Sequence, residues 1–155
     1  MYVLEREQRI PRPRAEVFPF FADARNLERI TPPGLRFRIL TPEPIVMGAG
    51  TIIEYQLRLF GVPFRWRTAI EAWDPPARFV DVQERGPYRV WRHAHTFEDV
   101  PGGTLMRDRV EYQLPLGPLG RLVHGVFVRR QVAAIFAFRR QVVEQQLALA
   151  GGVRP

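Results

Sequence analysis

A chain of 155 residues is the size of one ordinary domain and buries enough surface to fold without covalent staples. With no cysteine it has neither disulfides nor thiolate metal sites, and a reducing compartment, the cytoplasm, is the expected location. The formal net charge is +7, but all 23 basic residues are arginines scattered singly or in pairs, so a solvated basic surface is the expectation rather than a nucleic-acid site.

Early acids and the lack of a long apolar run at Met1–Glu7 exclude the pattern of a signal peptide, and no stretch approaches the about 20 apolar residues of a membrane span. Val3 to Arg9 reads as a strand that ends at Ile10-Pro11-Arg12-Pro13, where proline stops ladder pairing. Arg14 to Asp23 carries Val17, Phe18 and Phe21 at helical spacing, with Pro19 expected to kink or shorten the helix, and Asn26 to Ile30 forms a second short helix. Extended runs follow at Leu35–Leu40, Gly50–Phe60, Pro63–Trp73, Arg78–Gln83, Tyr88–Glu98 and Thr104–Leu114. Their separators are short and rich in glycine, proline and aspartate, which predicts antiparallel hairpins in a meander. From Pro118 to Ala150 the pattern is one long helix, stopped at Gly151-Gly152, with Gly125 a possible kink or close approach. There is no repeat or linker, so residues 1–155 are read as one α+β domain: a curved antiparallel sheet of about seven strands around a long C-terminal helix, with two short helices after the first strand.

Side-chain alternation assigns the faces. Ile53, Tyr55, Leu57 and Leu59 point inward, as do Phe64, Trp66, Thr68, Ile70 and Ala72. A four-residue turn between these strands would set Leu57 opposite Trp66 and Tyr55 opposite Thr68. Phe79, Asp81 and Gln83 share a face, Trp91, His93, His95 and Phe97 another, and Met106, Asp108, Val110 and Tyr112 a third. The opposite face is charged, with Arg58, Arg65, Arg67, Arg92, Arg107 and Arg109. On the long helix Leu119, Leu122, Val123, Val126, Phe127, Arg130, Ala133, Ala134 and Ala137 form a stripe expected to face the sheet. Large sheet residues against its small alanines would leave a pocket.

The motifs Ile10-Pro11-x-x-x-x-Glu16-Val17-Phe18, Asp23 with Asn26-Leu27, Glu71-Ala72-Trp73-Asp74-Pro75-Pro76-Ala77-Arg78-Phe79 and Gly117-Pro118-Leu119-Gly120-Arg121 resemble the SRPBCC superfamily, in its bacterial cyclase/dehydrase-like group. The resemblance covers nearly the whole chain. It implies a helix-grip fold with a cavity between sheet and helix, and it leaves function open, because that fold hosts carriers, receptors and cyclases.

The expected ligand site comprises Tyr55, Leu57, Trp66, Thr68, Phe79, Asp81, Gln83, Trp91, His93, His95, Met106, Asp108, Arg130 and Ala134, with Phe97 as further apolar wall. It would take a hydrophobic small molecule such as a lipid, isoprenoid or polyketide, as a carrier or sensor. The alternative is a cofactor-independent cyclase or dehydratase, with Asp108 orienting His93 and Arg130 polarising a carbonyl. His93-x-His95 with Asp108 or Asp81 has chelating spacing, but a generic one, and neither metal nor cofactor is expected. As for macromolecules, contact of the basic strand face with an anionic membrane is left open, nucleic acid is not the expected partner, and the oligomeric state is undetermined.

Overall fold

The computed structural model describes residues 1–149. The predicted stop at Gly151-Gly152 and the predicted helix end at Ala150 lie outside the described residues.

The strand β1 (Tyr2–Ile10) leads to α1 (Arg14–Ala22) and α2 (Asn26–Arg29), then to a 3-10 turn (Pro33–Leu35) and the short β2 (Arg38–Ile39). Pro19 does not end α1: the helix runs through it to Ala22, and the Pro19 carbonyl accepts the backbone N–H of Asp23. The meander is β3 (Ile52–Leu59), β4 (Val62–Asp74), β5 (Arg78–Arg85), β6 (Val90–Val100) and β7 (Gly103–Gln113). All seven strands form one antiparallel sheet in the order β1-β7-β6-β5-β4-β3-β2. Of the expected run Leu35–Leu40 only Arg38–Ile39 pairs as a strand.

The β3–β4 register departs from expectation. Phe60 (φ 51°) and Gly61 (φ 76°) close a two-residue turn, with both central residues in the left-handed region that tight hairpins need. Tyr55 therefore faces Trp66 and Leu57 faces Phe64. The shift from a four-residue turn is even, so every side chain keeps its face.

The C-terminal helix is α3 (Gly117–Val123), a π-helical turn (His124–Val128) and α4 (Arg129–Leu149). As far as Phe136 the residues it buries, Gly120, His124, Val128, Val132 and Phe136, recur every four positions. On an ideal helix that spacing would slip about 160° over the run, and the wider π turn takes up part of the slip. His124 anchors that turn: it stacks on Tyr2 with ring centroids 3.4 Å apart, and its Nε2 accepts the Tyr112 hydroxyl at 2.8 Å. Burial pushes the His124 pKa down, which keeps Nε2 free to accept.

The stripe expected to face the sheet instead faces water. Leu119, Leu122, Val126, Phe127, Arg130, Ala134 and Ala137 are all exposed, while α4 and the turn before it direct Val128, Val132, Phe136, Arg139 and Val143 inward. Two apolar clusters result. One gathers Phe37, Leu57, Trp66, Tyr88, Tyr112, Val132 and Phe136, and the other Ile10, Val17, Phe18, Phe79, Phe97, Met106 and Val143.

Candidate functional site

Between the sheet and α4 lies a cavity of about 140 Å³. A space of that size far exceeds what one water needs and is comparable to cavities that take a single aromatic ring. Its walls are apolar: Ile53, Leu57, Leu59, Ile70 and Phe79 from the sheet, Phe20, Phe21, Leu27 and Ile30 from the short helices and the residue after them, and Ile135 and Phe136 from α4. Tyr55, Trp66, Tyr88 and Trp91 add aromatic surface with a polar atom each.

Besides Asn26, Thr31 and Thr68, one carboxylate, two imidazoles and a guanidinium interrupt this lining: Asp81, His93, His95 and Arg139, with Asp108 bordering the adjoining space. Alternation places Asp81 on β5, His93 and His95 on β6 and Asp108 on β7, all pointing inward from adjacent strands. The register sets Asp81 opposite His93 and His95 opposite Asp108. Asp108 Oδ1 lies 2.8 Å from His93 Nε2 and 3.0 Å from His95 Nδ1. Asp81 Oδ2 lies 3.0 Å from His95 Nε2 and 3.9 Å from His93 Nδ1. The four groups make a closed square in which acid and imidazole alternate, and the two rings lie against each other with centroids 3.7 Å apart.

The charges in that square are distributed by environment. Burial is the largest influence on His93 and, with the neighbouring His95, lowers its pKa to about 4, so it is neutral at pH 7 and donates from Nε2 to Asp108. Burial also opposes a charge on His95, but hydrogen bonds to Asp108 and Asp81 outweigh it and the net shift is upward. Burial likewise raises both aspartates, yet the histidines and the Arg139 guanidinium more than offset it; Asp81 ends below the ordinary carboxylate value and Asp108 well below it. Two carboxylates thus face the Arg139 guanidinium and the His95 imidazole, whose charged form they favour. Arg139 is held between aromatic rings, its Cζ 5.5 Å from the centre of Phe21 and 5.7 Å from that of Phe136.

Two donors at the cavity, Nε1 of Trp66 and Nε of Arg139, are buried without a protein acceptor. Such groups are rare and costly in a folded protein. A third polar feature, the Tyr55 hydroxyl, already meets Thr68 Oγ1 at 3.3 Å.

Nine of the expected site residues line the cavity: Tyr55, Leu57, Trp66, Thr68, Phe79, Asp81, Trp91, His93 and His95. Met106 and Asp108 border an adjoining space of about 150 Å³ together with Arg139. Phe97 is core, packed on Phe18, Phe21 and Phe79. Gln83 turns instead to the β5–β6 connection, where its amide holds both backbone groups of Tyr88. Arg130 and Ala134 are exposed on the outer side of the helix and reach neither space. Their places are taken by Arg139 and Ile135; Arg139 belongs to a second, sparser helical stripe with Val128, Val132, Phe136 and Val143.

Asp81, His93 and His95 could hold a metal ion, since their ligand atoms lie within 4.8 Å of one another. The donor set argues against it: both His95 nitrogens are engaged by carboxylates, and a guanidinium already supplies the compensating charge. None of the helices among the described residues is long and apolar enough to cross a membrane.

Solved structures share this architecture. A protein of Thermus thermophilus superposes with a TM-score of 0.77 at 19% identity, over 97% of this chain and 100% of its own. Ara h 8.0201 gives 0.62 at 20% identity over 94% and 99%, and a START superfamily protein from Mycobacterium smegmatis gives 0.69 at 12% over 97% and 99%. Comparison with curated protein sequences yields no match. The family model described as polyketide cyclase / dehydrase and lipid transport matches residues 10–136, from the end of β1 into α4. That span includes every strand that lines the cavity, and the chain belongs to this family of the SRPBCC superfamily.

Proposed function

We propose that the cavity binds an apolar small molecule bearing at least one hydrogen-bond acceptor, as a carrier or sensor. The observation that carries this reading is the pair of unpartnered buried donors, Trp66 Nε1 and Arg139 Nε, in an otherwise apolar cavity whose other charges are already balanced. A carbonyl, carboxylate or phenol oxygen would satisfy them, while the aromatic walls enclose the rest. The volume suits a ring-sized group; a longer lipid or isoprenoid would need the short helices or α4 to move apart.

Native mass spectrometry of the purified protein, followed by organic extraction, tests this reading. A bound molecule of defined mass, lost when Trp66 is changed to Phe and Ile135 to Trp, supports it. Ligand-free protein that takes up no apolar acceptor from a lipid, isoprenoid and polyketide panel contradicts it.

A second reading rests on His93, a neutral imidazole at the cavity wall whose Nδ1 makes no hydrogen bond closer than the Asp81 oxygen at 3.9 Å. Such a group could take a proton from an enolisable ligand, as a cyclase or dehydratase requires. Turnover of a polyketide-like substrate abolished by His93→Asn would favour it over simple binding.

A further inference from the structure

One end of the molecule combines exposed apolar side chains with unpaired cations. The strand order brings the β3–β4 turn, the β5–β6 turn and the end of β7 to the same end of the sheet, where α3 begins. Phe60 of the first turn, 60% exposed, packs edge-on against Phe127 of the π-helical turn, 55% exposed, with centroids 5.9 Å apart. Leu119, Leu122 and Val126 extend this surface along the helix, and Val62 extends it along the hairpin.

Arginines surround it. Arg58, Arg65, Arg85 and Arg89 come from the two turns and their strands, and Arg121, Arg129 and Arg130 from the helix; all are exposed. None has a carboxylate at ion-pairing distance among the described residues. For Arg58, Arg65, Arg121, Arg129 and Arg130 the sequence explains why: no acid occurs between Glu111 and Glu144, nor between Glu54 and Glu71. The outer sheet face is different. There Arg67 pairs with Glu54 and Glu84, Arg92 with Glu71, Arg107 with Glu7 and Glu98, and Arg109 with Glu5 and Glu111. Four of the six arginines on the face expected to be basic are neutralised, and the other two, Arg58 and Arg65, lie toward the β3–β4 turn at this apolar end.

We propose that this end docks on the surface of a bilayer containing anionic lipid, with Phe60, Leu119, Leu122, Val126 and Phe127 among the acyl chains and the arginines at the phosphates. Charge complementarity selects that occupant. A second copy would present the same arginines and be repelled, and nucleic acid would leave the leucines and valines without an apolar partner. Apolar side chains ringed by arginine, whose long stems reach back to the headgroups, are the composition of an interfacial anchor. The docking is independent of the cavity reading, because no residue named for it lines the cavity.

Cosedimentation of the full chain with vesicles, either pure phosphatidylcholine or phosphatidylcholine mixed with phosphatidylglycerol, tests the proposal at low ionic strength. Binding is expected only with phosphatidylglycerol and is expected to fall as salt is raised. Changing Arg121, Arg129 and Arg130 together to Gln should weaken it by about a hundredfold. Leu122→Ser with Phe127→Ser should weaken it by at least about tenfold, and Arg92→Gln with Arg107→Gln should leave it unchanged. Thermal unfolding of each variant separates lost docking from lost fold. Failure of the parent to bind phosphatidylglycerol vesicles overturns the proposal, as does equal loss on changing the sheet face. A solution dimer that dissociates on Phe127→Ser, or an RNA complex abolished by the same changes, would assign the surface to another partner and overturn it as well.

Discussion

Arg139 and Arg130 lie on one helix, nine residues apart, and the structure uses them in opposite ways. Nine steps of about 100° put them on opposite sides of the helix, so placing one inside places the other outside. Arg139 is buried between two phenylalanines and compensates two buried carboxylates; Arg130 is exposed and compensates nothing among the described residues. The same contrast runs through the whole molecule. Inside, Arg139 compensates the carboxylates of one closed square, whereas the arginines at the end of the sheet have no carboxylate partner among the described residues. A charged residue on an amphipathic helix therefore carries little information until the helix phase is known.

The largest expected effect breaks the inner set. Arg139→Met removes the guanidinium that compensates the two inward carboxylates and should cost about 3–5 kcal/mol of stability, measured by urea denaturation. Arg130→Met should stay within about 0.5 kcal/mol. Adding Asp108→Asn to Arg139→Met should recover part of the loss by restoring the balance; a double variant worse than the sum of the two single ones would break the comparison.

A smaller effect should follow from pH. Folded His93 remains neutral down to about pH 4, while the unfolded chain takes up that proton near 6.5, so stability falls as pH drops through this window, by up to about 3 kcal/mol. His95 works the other way: its folded pKa is raised, so its contribution is complete below 6.5 and is lost as pH rises through the folded value. Stability measured against pH should therefore peak near the ordinary histidine pKa. Asp108→Asn should lower the His95 pKa, followed through its ring signals by NMR, and flatten the alkaline side of the peak. Unchanged ring titrations would detach Asp108 from both histidines.

The smallest effect sharpens the outer half of the comparison. Arg92→Gln with Arg107→Gln removes exposed ion pairs and should change stability by no more than about 1 kcal/mol and small-molecule affinity not at all. A large fall in affinity would mean that the sheet faces are reversed.

The sheet is legible in the sequence because its alternation is strict. Parity alone places Tyr55, Trp66, Asp81, His93 and His95 on the inner face, and even the unexpected two-residue β3–β4 turn preserves their faces because the register differs by an even number. The helix is not legible in the same way. It carries two stripes, and the richer one, from Leu119 to Phe127, is the exposed one. Sequence periodicity measures apolar content and not what lies opposite, so an exposed apolar stripe reads as core. The π turn adds a second obstacle, since it rotates α4 relative to α3 and no local residue announces it apart from the buried His124. Arg139 escapes a sequence reading for that reason, and the cavity expected beside small alanines is in fact bounded by Ile135 and Phe136.

Binding of acetophenone, a single ring carrying one carbonyl acceptor, measured by isothermal titration calorimetry on two adjacent helix variants, tests the cavity account most directly. Ile135→Trp should abolish saturable binding by filling the cavity, whereas Ala134→Trp, one residue away on the exposed side, should leave affinity within about twofold of the parent, with thermal unfolding confirming both folds. Equal affinity in the two variants, or loss only with Ala134→Trp, would contradict both the helix phase and the cavity on which the proposed function stands.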